Sequence, residues 1–174
     1  ATNHTRIGRC IMNREQQKAV GLVELLVTVI LLSILVSTAL PAFARFQEQK
    51  RHESARDLLA SHILKTRASA ITQGRPYKLC GSSDGETCDG NWGSYWLIAK
   101  VGNESTIVTQ QAAPTKNICR VGFGGDSIRF HPNGTSWASN GTIFICNSTG
   151  PHQLLTLNRQ GRLRLATGHN SRCC

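Results

Sequence analysis

The stretch AVGLVELLVTVILLSILVSTALPAF, residues 19–43, decides where this chain resides. From Val20 to Leu40 it runs 21 residues, about 32 Å as a helix at 1.5 Å per residue, enough to cross a hydrocarbon core of about 30 Å. Within it stand one carboxylate, Glu24, and beyond it one proline, Pro41. An ionisable group in an apolar span costs about 2.5–3.5 kcal/mol on insertion scales, so its presence points to a function. Arg6, Arg9, Arg14 and Lys18 precede the span, a cationic flank of the kind retained in the cytoplasm. The pattern predicts a single-pass anchor with its C-terminal part exported.

Working outward, residues 1–19 read as a leader. Met12 followed by NREQQKA would itself make a short basic leader, so residues 1–11 fit an upstream extension. Residues 20–40 form the apolar helix. Proline kinks a helix interior without necessarily ending it, and residues 41–74 continue with good helix formers. There Ala55, Leu59, Ile63 and Ala70, with Leu58 and Ile71 beside them, recur at helical spacing. Gly74 followed by Pro76 is a stop signal.

Residues 75–174 read as a β-rich head. PYKLC, SYWLIAKV, STIVTQ, NICRVGF, SIRFH, GTIFIC, LLTLN and RLRLA are short β-branched, aromatic or alternating runs. Glycine- and asparagine-rich turns separate them. The predicted class is α+β: a long N-terminal helix packed by its second half on an antiparallel sandwich or pair of sheets.

Of seven cysteines, Cys10 falls in the leader. The other six, Cys80, Cys88, Cys119, Cys146, Cys173 and Cys174, fall in the exported part, an even number that suits disulfides in an oxidising compartment. Cys80 and Cys88, flanking a seven-residue loop, are the expected pair; Cys173 or Cys174 could anchor the terminus. Zinc is the competing use of these thiols, but there is no Cys-x-x-Cys and the six histidines are scattered. The net charge is +10; the leader's four basic and one acidic residues account for +3, leaving +7. No Asp or Glu follows Asp126, whereas Arg129, Arg159, Arg162, Arg164 and Arg172 do. Such a one-signed segment attracts polyanions or anionic surfaces.

A basic leader, an apolar helix with one early glutamate, a proline and a β-rich head together resemble the type IV prepilins and pseudopilins. Cleavage between Ala19 and Val20 would make Glu24 the fifth and Pro41 the twenty-second mature residue, as in that family. Ala19 stands where the family usually has glycine, and Val20 where it usually has phenylalanine. The resemblance implies a prepilin peptidase, N-methylation of Val20, and pairing of Glu24 with the N-terminal amine of a neighbouring subunit. It also implies an inner-membrane precursor with a periplasmic head that later joins a pilus or pseudopilus and through it can reach the cell surface. The head landmarks ARDLLASHILKTRASAITQGRPYKLC, WGSYW, IRFHPNGTS, GTIFIC and LLTLNRQGRLRL are similar to the FimT/GspH group of minor pseudopilins.

The chemistry expected of the head lies in LNRQGRLRLATGHNSRCC. Leu155, Leu157, Leu163 and Leu165 take the inward positions of two strands. Arg162 and Arg164 share the opposite face, about 6.8 Å apart at 3.4 Å per residue, with Arg159 on the turn and Arg172 nearby. Guanidinium groups on a rigid strand with no acid beside them suit phosphate, without reading sequence. The Gly-Arg-x-Arg pattern at Gly161, Arg162 and Arg164 resembles the DNA-binding motif of FimT proteins that serve natural transformation. His169, Lys116 and Arg120 are peripheral candidates. Trp92, Tyr95 and Trp96 could stack bases, but core packing is the favoured reading. No histidine is spaced for nucleophilic catalysis and there is no glycine-rich phosphate loop, so neither an enzyme, a cofactor nor a metal is expected. The alternative to DNA capture is a structural pseudopilin of type II secretion or pilus assembly.

Overall fold

The computed structural model describes residues 21–102, 106–147 and 152–168. Helix α1 spans Leu22–Gln73, with Pro41 inside it. Gly74 ends it in the left-handed region, φ 60°, its N–H bonded to the Ile71 carbonyl at 3.4 Å. The chain divides into two compact units, Ala1–Pro41 and Ala42–Cys174.

In the first unit every described residue is exposed. Thirteen large apolar side chains between Leu22 and Leu40 face outward. At about 1.5 kcal/mol or more for each, on the order of 20 kcal/mol of burial awaits a membrane or neighbouring subunits. The segment is long and apolar enough to span a bilayer, and this fits a membrane-anchored protein.

The second unit carries its own core. Eight strands follow the helix: β1 Tyr77–Ser82, β2 Tyr95–Lys100, β3 Ile107–Ala112, β4 Ile118–Val121, β5 Ser127–Phe130, β6 Gly141–Ile145, β7 His152–Leu157 and β8 Leu163–Gly168. They form two four-stranded sheets, β3-β2-β1-β5 and β4-β6-β7-β8, and every paired neighbour is antiparallel. The helical stripe Ala55, Leu59, Ile63 and Ala70 is buried with Leu79, Trp96, Ile128, Ile143 and Leu155 in one cluster. All its members lie at Ala55 or beyond, so Ala42–Cys174 holds a complete core.

Three expectations change. Ile71 is half exposed, because it sits at the rim beneath the 131–135 turn rather than under a sheet. Leu165 pairs with buried Leu155 but is 45% exposed, because β8 is an edge strand with no further neighbour. Arg162 precedes β8 and belongs to the turn, not to the strand.

Candidate nucleic-acid interface

The turn joining β7 to β8 is fixed by its own backbone. Asn158 donates its N–H to the Arg162 carbonyl at 3.1 Å, and its side-chain oxygen accepts the Arg162 N–H at 2.8 Å. Gly161 closes the turn with φ 76°, donating to the Asn158 carbonyl at 3.0 Å. A Cβ at Gly161 would collide with the Gly134 carbonyl oxygen, so glycine is needed there for conformation and for space.

A second loop, residues 131–139 between β5 and β6, braces this turn. Ser136 donates its N–H to the Arg159 carbonyl at 3.0 Å and its hydroxyl to the Asn158 carbonyl at 2.8 Å. From α1, Arg67 Nε donates to the Gly134 carbonyl at 2.8 Å. Helix, loop and hairpin thus converge on the backbone that presents the arginines.

Arg159, Arg162 and Arg164 are exposed and Gly161 is buried. Arg164 opposes Thr156 across β7–β8, on the face away from Leu163 and Leu165. Asn158 and Arg162 extend that register by one pair, which sets Arg162 on the face of Arg164. Arg159 Nε donates to Asn140 Oδ1 at 3.3 Å. Arg159, Asn158, Thr156, Thr142 and Asn140 line an open cavity of about 520 Å³. Every ion pair among the described residues lies at or before Asp126, so no carboxylate neutralises these arginines there. The arrangement can accept phosphate oxygens through charge-assisted hydrogen bonds.

Other expected positions fall elsewhere. Arg172, His169, Ala19 and Val20 lie outside the described residues. Glu24 is exposed on α1 with no ion pair among the described residues. Cys80 and Cys88 are joined by a disulfide, and Cys119 and Cys146 each take part in a disulfide. Arg120 is half-buried over the Trp92 and Phe123 rings, at 5.2 and 5.9 Å, and donates to the Gly125 carbonyl; burial pushes its guanidinium below the ordinary range. It is committed to packing, not to an external anion. Trp92 and Trp96 are in the core. No group of His, Cys, Asp and Glu among the described residues is placed to hold a metal ion.

The sequence reading missed two contributors. Arg67 looked like one more cation on the polar face of α1. Trp137, 51% exposed in the 131–139 loop, was signalled only by its setting among turn formers in PNGTSWASNG.

An N-terminal apolar helix continuing into a helix-backed pair of antiparallel sheets is the architecture of pilin-like proteins. The type II transport protein GspH family model matches residues 55–161, and the chain belongs to that family. Among solved structures, minor pilin FimU of Pseudomonas aeruginosa is similar at 19% identity and TM-score 0.57, covering 72% of this chain and 98% of that one. The minor pseudopilin EpsH of the Vibrio cholerae type 2 secretion system is similar at 11% identity and TM-score 0.51, covering 67% and 97%. No curated protein matches the chain. The protein is therefore a member of the GspH family with a pilin-like fold.

Proposed function

We propose that this minor pilin captures extracellular DNA for uptake in natural transformation, gripping the phosphate backbone through Arg159, Arg162 and Arg164, with Arg172 contributing from the tail. The observation that supports it most is the braced 158–162 turn, which carries or leads into three exposed arginines that make no ion pair among the described residues. Backbone contacts position a nucleic acid without reading bases, so the protein takes DNA of any sequence. The precursor resides in the inner membrane with its head in the periplasm. A prepilin peptidase cuts between Ala19 and Val20, Val20 is methylated, and Glu24 pairs with a neighbouring subunit's amine during assembly. The work of import comes from filament retraction by other components.

The GspH family match favours a second reading, a structural pseudopilin of type II secretion or pilus assembly in which the arginines serve solubility or subunit contacts. One experiment separates the two. Fluorescence anisotropy of the head, residues 42–174, with two unrelated duplexes at two salt concentrations should show equal affinities that weaken with salt. Indifference to both duplexes leaves the structural role.

A further inference from the structure

We propose that Trp137 is a stacking platform for an unpaired nucleobase and makes this surface prefer single-stranded over duplex DNA. The proposal rests on the DNA reading above and adds the form of the ligand.

Two of the three tryptophans, Trp92 and Trp96, are buried; Trp137 alone stands open, at 51% exposure. It is not loosely held. Its ring stacks on His131, centroids 4.3 Å apart and planes at 12°, and its backbone N–H donates to the Arg129 carbonyl at 3.0 Å. Buried Ser136 ties the preceding residue to Arg159 and Asn158, and Ser139 Oγ accepts the Arg129 N–H at 3.2 Å. A large apolar ring is thus fixed in water by backbone hydrogen bonds on both sides, so little ordering entropy remains to be lost when a flat partner lands on it.

Basic residues lie on the elements next to the ring. The loop carrying Trp137 leaves the edge strand β5 and is bonded through Ser136 to the hairpin turn that carries the arginines. On the β5 side, Arg129 and Trp137 line one cavity of about 190 Å³ with Ser127 and Ser139. Asp126 lines it too, and Arg120 Nη2 holds that carboxylate at 3.5 Å. Lys78 pairs in register with Arg129; partial burial and that neighbour push its ammonium below the ordinary range, as expected of two cations crowded on one face. On the β8 side are Arg159, Arg162 and Arg164. An exposed aromatic face beside arginines is the composition of single-strand sites, where the backbone follows the cations and bases stack on rings, each stacked base contributing about 1–3 kcal/mol. A duplex keeps its bases stacked on one another and offers the same surface only phosphates.

The test titrates the head, residues 42–174, with a 20-nucleotide oligo-dT and with a 20-base-pair duplex, following intrinsic fluorescence and anisotropy. Because Trp92 and Trp96 are buried, quenching reports on Trp137. We expect oligo-dT to quench the emission. Trp137→Ala should weaken oligo-dT binding about 5- to 150-fold, while duplex affinity changes less than about two-fold and Trp137→Phe restores most of the loss. Equal losses for both ligands, or no quenching while Arg162 and Arg164 are still required for both, overturns the platform and leaves the DNA reading intact. If neither oligonucleotide binds, the DNA reading fails and the platform with it. If Trp137→Ala changes only the sedimentation of the head, the ring is a subunit contact and the proposal is wrong.

Discussion

Arg67 Nε lies 2.8 Å from the carbonyl oxygen of Gly134, the same oxygen against which a Cβ at Gly161 would collide. One carbonyl therefore joins a helix, a loop and the hairpin that carries the arginines. Gly161→Ala must both hold a left-handed φ and displace that oxygen. It should cost about 1–3 kcal/mol, read as a lower denaturation midpoint of the head, and it should weaken DNA binding by moving Arg159. Arg67→Ala loses the charge-assisted bond to Gly134 and a longer one, 3.5 Å, to the Gln160 carbonyl, and should cost about 1.5–3 kcal/mol. If both variants melt with the wild type, the bracing is not a stabilising feature.

The three described arginines set a number for the salt dependence. Three phosphate contacts give a slope of log affinity against log salt of about −2.7, or about 40-fold between 50 and 200 mM. Replacing Arg162 and Arg164 with glutamine should flatten the slope by about 1.8 and leave the circular dichroism unchanged, since both side chains are exposed. An unchanged slope would mean that duplex binds through other cations, such as those on α1.

The disulfide loop should be acid-resistant. Asp84 accepts hydrogen bonds from the N–H groups of Thr87 and Glu86 and from the Ser82 and Thr87 hydroxyls. Led by the Thr87 and Glu86 amides, these bonds hold its carboxyl far below the ordinary 3.8. A depressed folded-state value means that the contribution is present above 3.8 and is lost only as pH falls through the lower folded value. The Glu86 and Thr87 amide resonances should therefore stay in place from pH 7 through pH 3.8, and Asp84→Asn, which loses the carboxylate acceptor, should shift both at every pH. Movement of both signals with a midpoint near 3.8 would show that the carboxylate is not engaged in solution.

How far the sequence carries depends on the range of the interaction. The helix and all eight strands could be read because their signals are local: the stripe Ala55, Leu59, Ile63 and Ala70 repeats at helical spacing, and each strand lies between turn residues. Arg159, Arg162 and Arg164 stood out because charge and alternation are visible along the chain. The partition into sheets β3-β2-β1-β5 and β4-β6-β7-β8 was not visible, since pairing β1 with β5 joins residues about fifty apart. The edge position of β8, and with it the exposure of Leu165, follows from that order and was hidden with it. Arg67 was illegible for the same reason, since Gly134 becomes its neighbour only once helix and loop have folded together. Trp137 was illegible for another: its partners His131 and Arg129 are close in sequence, but an irregular loop carries no periodic signal to show which ring it leaves exposed.

Glu24 offers a prediction in which two effects carry opposite signs. It is exposed among Leu22, Val23, Leu25 and Leu26, and as a charge within a lipid-facing helix it costs about 2.5–3.5 kcal/mol. Glu24→Ala should therefore make the single subunit more comfortable in the membrane, with undiminished amounts in membrane fractions. The head should melt unchanged, because its core begins at Ala55. Filament incorporation should nevertheless fall, since pairing with an amine in an apolar interior offsets the burial of both charges and the alanine variant has nothing to pair. Immunoblots of sheared filaments against membrane fractions measure the ratio directly. A ratio equal to that of the wild type would show that the carboxylate is merely tolerated in the anchor, and the assembly role would be withdrawn.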